Sequence, residues 1–226
     1  MAKKRSRLPL IAAVTLIVVI VLALIVFLGI QPNQGVVSGV QTGDEFVYDI
    51  KGFWSSNDPN ATLIDYYVEL NMTAWYKITI TDVNNSKVSI STVWRFTNET
   101  EITGTSNVDV DTGIIFPSDA FWAIYATNLN ANDRLRPSGG NVATINETAT
   151  RDYASGTRET NFVSLTLQYY DADDPTGTRT WTEIMSTKFD RQVGMLVEFR
   201  DISLYTNPSQ TATIAWTLKE SNVWAV

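Results

Sequence analysis

The stretches "TAWYKITITDV" (73–83) and "KVSISTVWRFT" (87–97), joined by Asn84-Asn85-Ser86, decide the fold class. Tyr76, Ile78 and Ile80 share one face of the first, and Val88, Ile90, Trp94 and Phe96 share one face of the second. Thr79, Thr81, Ser89, Ser91 and Arg95 take the opposite faces. Alternation with period two puts one side of a strand against a core and leaves the other in water, which antiparallel pairs tolerate. The short polar connection supplies the turn.

The same pattern recurs in "TNFVSLTLQYY" (160–170), where Val163, Leu165, Leu167 and Tyr169 alternate with Ser164, Thr166 and Gln168, and in "TATIAWTL" (211–218). Between early and late strands lies one helix candidate, "SDAFWAIYATNL" (118–129). Ser118 suits an N-cap, Asp119 suits the positive end of the dipole, and Phe121, Trp122 and Tyr125 recur at helical spacing. Nine to eleven strands with short loops are expected, in a mainly β domain: a single antiparallel sheet or open half-barrel with one helix packed on it.

Ahead of the strands, residues 8–30, "LPLIAAVTLIVVIVLALIVFLGI", carry no charge. As a helix this run is about 34 Å long, enough to cross a hydrocarbon core of roughly 30 Å. Cleavable secretory signals have a shorter apolar stretch and then a small-x-small site, which "FLGIQPNQG" (27–35) lacks. Lys3, Lys4, Arg5 and Arg7 precede the run, and the first basic residue after it is Lys51. The positive-inside rule therefore predicts a basic cytoplasmic tail (1–7), a transmembrane helix (8–30), a linker (31–43) leading into a first edge strand, and an extracellular β-domain (44–226). The partner so implied is the lipid bilayer. The alternative is a pilin-like filament subunit with residues 8–30 as filament core. Precursors of that kind usually carry a Gly or Ala at the cleavage point and an early Glu, and Arg7-Leu8 shows neither.

The chain has a formal net charge of −7, with 24 acidic residues against 17 basic ones, four of which lie in the N-terminal tail. So acidic an outer part repels phosphate, which excludes nucleic acid as a partner. Cysteine and histidine are both absent, removing disulfides, thiolate nucleophiles, the usual general base and most zinc arrangements. A non-catalytic protein with no cofactor is expected.

Three stretches carry a family resemblance: "GDEFVYDI" (43–50), "KFDRQVGMLVEF" (188–199) with its turn at Asp190–Gly194, and "WTLKESNVW" (216–224). Together they resemble the membrane-anchored extracytoplasmic β-domains common in archaea, which are similar to the LolA/LppX half-barrel superfamily. The resemblance implies a curved sheet whose apolar concave side carries a lipid-like ligand. Unlike LolA, which is soluble after processing, this chain is expected to keep its anchor. The function expected is a single-pass cell-surface protein whose outer domain binds an apolar ligand or an envelope partner protein.

Five Asn-x-Ser/Thr sequons, at Asn60, Asn71, Asn84, Asn98 and Asn146, are candidate glycosylation sites. Asp111-Thr112-Gly113 matches the aspartic-protease tripeptide, but that chemistry needs two carboxylates sharing a proton, so a turn between strands is expected. Asp171, Asp173 and Asp174 offer oxygen ligands for calcium, yet Pro175 and Gly177 explain the stretch as a hairpin turn. Most aromatics belong in the core. Phe53, Trp54, Tyr66, Tyr67 and Trp122 are the candidates for a ligand or partner surface.

Overall fold

The computed structural model describes residues 36–61, 65–118, 120–140, 142–172 and 176–226. The expected membrane helix and basic tail, Asp119, Asp173 and Asp174 lie outside the described residues. Among those described, no helix is long and apolar enough to cross a membrane.

Ten strands build one antiparallel sheet. They are β1 (Glu45–Ser56), β2 (Thr73–Asn84), β3 (Lys87–Phe96), β4 (Glu101–Asp109), β5 (Ile115–Phe116), β6 (Glu147–Tyr153), β7 (Gly156–Tyr170), β8 (Thr180–Asp190), β9 (Leu196–Thr206) and β10 (Ser209–Ser221). One short helix, α1 (Asp65–Asn71), interrupts them. The strand order is β5-β4-β3-β2-β1-β10-β9-β8-β7-β6. The first five strands meander one way, the last five the other, and the halves meet where β1 pairs with β10. β1 is thus at the centre of the sheet, not at the edge expected from sequence. Its alternation of buried and half-buried residues fits a strand hydrogen-bonded on both sides.

The β2–β3 hairpin forms as its sequence predicts, with Tyr76 opposite Trp94 and Ile80 opposite Ile90. Asn85 takes a positive φ of 56° in the turn, a conformation Asn tolerates better than most residues. The parity of Val163, Leu165 and Leu167 also holds, since they stand opposite Thr187, Met185 and Glu183.

The helix predicted over 118–129 does not form. The described residues between 117 and 146 instead run as an irregular strap across the apolar face of the sheet. Phe121, Ala123, Ile124, Tyr125 and Ala126 are all buried, so the segment is apolar around its whole circumference rather than along one stripe. Its backbone groups find partners elsewhere: Tyr125 N–H donates to Gly194 O (2.8 Å), and Ala123 O accepts from Leu196 N–H (3.2 Å). The buried guanidinium of Arg136 donates to the carbonyl oxygens of Trp122 (2.9 Å) and Val110 (3.4 Å) and to that of Ile124, and it lies 4.5 Å from the Tyr125 ring centroid. These bonds replace the i→i−4 ladder.

The strap also shows that the sheet curls. Phe121 O accepts from Ser106 Oγ on β4 (3.5 Å), while Leu129 O accepts from Asn161 Nδ2 on β7 (2.9 Å). Seven inter-strand gaps separate β4 from β7. Flat, they would span about 34 Å, which eight residues bridge only when fully extended and helped by both side chains, and the strap is irregular rather than extended. Tyr48 O–H on β1 donates to Leu196 O on β9 (2.8 Å), reaching past β10 across the same concavity. Phe46, Ile78, Ile90, Val108, Phe189, Met195 and Leu218 fill the core between sheet and strap.

Candidate functional site

The strap covers only part of the concave face. Between it and α1 an open groove of about 700 Å³ remains. Tyr76, Trp94 and Ile102 floor it from β2, β3 and β4, and Phe199, Ile214 and Trp216 floor it from β9 and β10. Phe121 and Trp122 of the strap form one wall, Tyr66 and Leu70 of α1 another. Tyr76 and Trp216 meet edge to face at 5.0 Å, and Trp122 meets Phe199 at 5.2 Å, which makes the lining a fixed aromatic surface. The Trp94 ring is held by its Nε1–H, which donates to Thr73 Oγ1 (2.8 Å).

The position of α1 follows from Gly52 on β1. A Cβ there would stand 2.9 Å from Tyr67 Cδ1, so a larger residue would push the helix away. Asn71, the last residue of α1, clamps the same glycine: its Oδ1 accepts from Gly52 N–H (3.0 Å) and its Nδ2 donates to Gly52 O (2.7 Å).

Among the described residues one charged group enters the groove, Asp201 of β9. On this face the paired rows read Tyr169-Trp181-Tyr205, then Leu167-Glu183-Ser203, then Leu165-Met185-Asp201-Ile214. Glu183 and Asp201 are therefore diagonal neighbours on adjacent strands. Burial first, then the charge of the Glu183 carboxylate and a hydrogen bond to it, push the Asp201 carboxyl from its ordinary 3.8 up to about 6. Its Oδ1 is sealed from solvent without a hydrogen-bond partner among the described residues. Burial, with the negative charge of Asp201 behind it, also raises the phenol of Tyr66. A hydrogen bond to Glu183 raises that of Tyr169.

Of the five surface candidates read from sequence, the groove takes Tyr66 and Trp122. Phe53 is exposed on the opposite face of β1, Trp54 stands opposite Ala212, and Tyr67 packs on Gly52. The sequence, which sends most aromatics to the core, does not single out the floor residues Trp94 and Trp216, nor the acidic pair. Its signal was legible: Asp201 shares parity with Phe199, and Glu183 with Trp181, so each of two apolar strand faces carries one carboxylate.

Asp111-Thr112-Gly113 forms the expected turn, with Gly113 at φ +78° between β4 and β5. Asp171 pairs with Arg179 (3.0 Å). Among the described residues no group of three or more acidic side chains is placed to hold a metal ion. All five sequon asparagines are exposed, although the Asn71 amide is engaged with Gly52 and Asn146 Oδ1 accepts from the Ser164 N–H (2.7 Å).

The chain matches no family model, and no curated protein is similar to it in sequence. Fold and groove together define its class, a curled single-sheet β-domain with an aromatic cleft between strap and helix.

Proposed function

We propose that this is a membrane-anchored cell-surface protein whose outer β-domain binds an apolar, lipid-like ligand without chemistry of its own. The observation that carries the reading is the groove. A volume of about 700 Å³ lies within the range of small-molecule sites, and its aromatic and aliphatic lining is interrupted by a run of hydroxyls on β3 and β4, Thr92, Thr103, Thr105 and Ser106. Contiguous apolar surface left open to solvent is costly unless something covers it. The anchoring half of the proposal rests on residues 8–30 and the basic residues before them.

Native mass spectrometry of the full-length chain extracted from its own membranes tests the binding half. An adduct of lipid-like mass is expected, and it disappears in Ile102→Asp, which sets a charge at an exposed position on the groove floor. A wild-type chain that never carries an adduct removes the reading. Protease added to intact cells tests the anchoring half: digestion of the β-domain is expected, and full protection counts against an outward orientation.

A further inference from the structure

We propose that the groove selects an amphiphile with a cationic amine or quaternary ammonium head, its tail lying along Trp94 and Trp216 and its head at the Asp201–Glu183 pair. The inference rests on the apolar-ligand reading and adds the chemistry of the head group.

Charge complementarity is the first argument. Asp201 opens into the groove at its α1 end, and its neighbour Glu183 is a second carboxylate. Asp201 and Glu183 lie within hydrogen-bonding reach on a half-buried face, so they share a proton when Asp201 is protonated, and once both are charged they repel unless a cation joins them. The protein supplies none among the described residues. Lys188 and Arg200 pair with Glu198, and Lys51 pairs with Asp49, all of them on the opposite face of the sheet.

The second argument is the surround. Trp181 stacks between Tyr169 (5.0 Å) and Tyr205 (6.1 Å) in the row just beyond the pair, while Tyr66 closes the groove side next to Asp201. Aromatic faces around a carboxylate favour a diffuse organic cation through the ring quadrupole, and they suit a hard metal ion poorly. Two carboxylates with no third acidic side chain beside them among the described residues also fall short of a calcium shell.

The pH dependence follows from the same groups. The titratable side chains facing the pair are Tyr66, Tyr67 and Glu69 on α1, Tyr169 on β7 and Tyr205 on β9, with no basic residue among them. Asp201 is charged above about pH 6 and takes up its proton below, so a cation is held at pH 8 and released towards pH 5.

The test uses the full-length chain in lipid nanodiscs, with empty nanodiscs as the baseline for partitioning. Octyltrimethylammonium, 1-octanol and octanoate share one tail and differ in head. At pH 8 the cation is expected to bind at least tenfold more tightly than the alcohol, with octanoate weakest. That preference should vanish at pH 5 and in the isosteric double variant Asp201→Asn/Glu183→Gln, whose native fold is checked by circular dichroism. Equal binding of cation and alcohol by the wild type overturns the head-group assignment and leaves the groove reading standing. Failure of all three to bind overturns both. A preference for the cation that survives in the double variant, or displacement of the cation by calcium at millimolar concentration, also overturns the assignment.

Discussion

The two five-stranded halves of the sheet use one turn twice, in different company. In the first half Asp109 begins the sequence Asp-Val-Asp-Thr-Gly, and in the second Asp190 begins Asp-Arg-Gln-Val-Gly. In both, the leading carboxylate accepts from the N–H groups two and three residues on, at 3.0 and 3.4 Å for Asp109 and at 3.0 and 2.8 Å for Asp190. In both, the glycine N–H donates to the aspartate carbonyl at 2.8 Å, and the glycine takes φ +78°. The local motif is identical, so any difference in its worth comes from its neighbours. Both turns meet the strap: the Gly194 carbonyl accepts from the Tyr125 N–H, whereas in the first turn Val110 O accepts from Arg136, Asp111 accepts from the Ser138 N–H, and Gly113 packs on the Arg136 side chain. Asp190 is gripped by Arg158 Nε (2.6 Å) and Nη2 (3.0 Å), a pairing that Asp109 lacks. Local sequence makes a turn, and tertiary contact decides how much the fold depends on it.

The comparison breaks most completely if the strap is released. Arg136→Met leaves the carbonyls of Trp122, Ile124 and Val110 without their buried donor and should cost about 3–5 kcal/mol in urea unfolding. The two glycines sharpen it next. In Gly194→Ala the new Cβ would stand 2.1 Å from Tyr125 O, a backbone atom that cannot yield, and a loss of roughly 3 kcal/mol or more is expected. In Gly113→Ala the nearest atoms are Arg136 Cγ at 3.0 Å and Cδ at 3.2 Å, side-chain atoms farther off than the backbone oxygen at Gly194, so a smaller clash adds to the φ penalty of about 1–2 kcal/mol and the loss is expected to be the lesser of the two. Equal losses would mean that the close approach of the Tyr125 backbone adds nothing to the second turn.

The aspartates come third. Asp190→Asn weakens a buried ion pair and should cost about 2–3 kcal/mol, against about 1 kcal/mol for Asp109→Asn, both read by denaturant midpoint at pH 7. The smallest effect has the opposite sign. Folding raises the carboxyl of Asp201, so its charge opposes folding above about pH 6, and the opposition fades as pH falls towards 3.8. Asp201→Asn should therefore raise Tm by roughly 2–4 °C at pH 8 and leave it unchanged near pH 4. A fall in Tm at pH 8 would show that the carboxylate has a stabilising partner.

How much was legible varies along the chain. Strands were readable wherever one face was wet, because period two survives in Tyr76, Ile78 and Ile80 or in Val163, Leu165 and Leu167 whatever lies beyond them. The turn at Asp190–Gly194 was readable because Asp and Gly fix it locally. The segment 118–129 misled, since Phe121, Trp122 and Tyr125 imitate a helical stripe while the partners that dissolve the helix, Gly194 and Arg136, are remote in sequence. Likewise β1 read as an edge strand until β10, at the far end of the chain, paired with it. Tyr66 and Trp122 were found as surface aromatics, but nothing local shows that they face one groove.

By itself, the sequence determined the alternation that makes a sheet, the turns that Asp, Asn and Gly impose, the acidity that repels phosphate and the apolar run at 8–30, because each depends only on neighbours within a few residues. Only the tertiary structure decided the closing of β1 on β10, the unravelling of a helical pattern into a strap and the meeting of Asp201 with Glu183 beside an aromatic groove. Those outcomes depend on which distant groups compete for the same backbone hydrogen bonds and the same dry space.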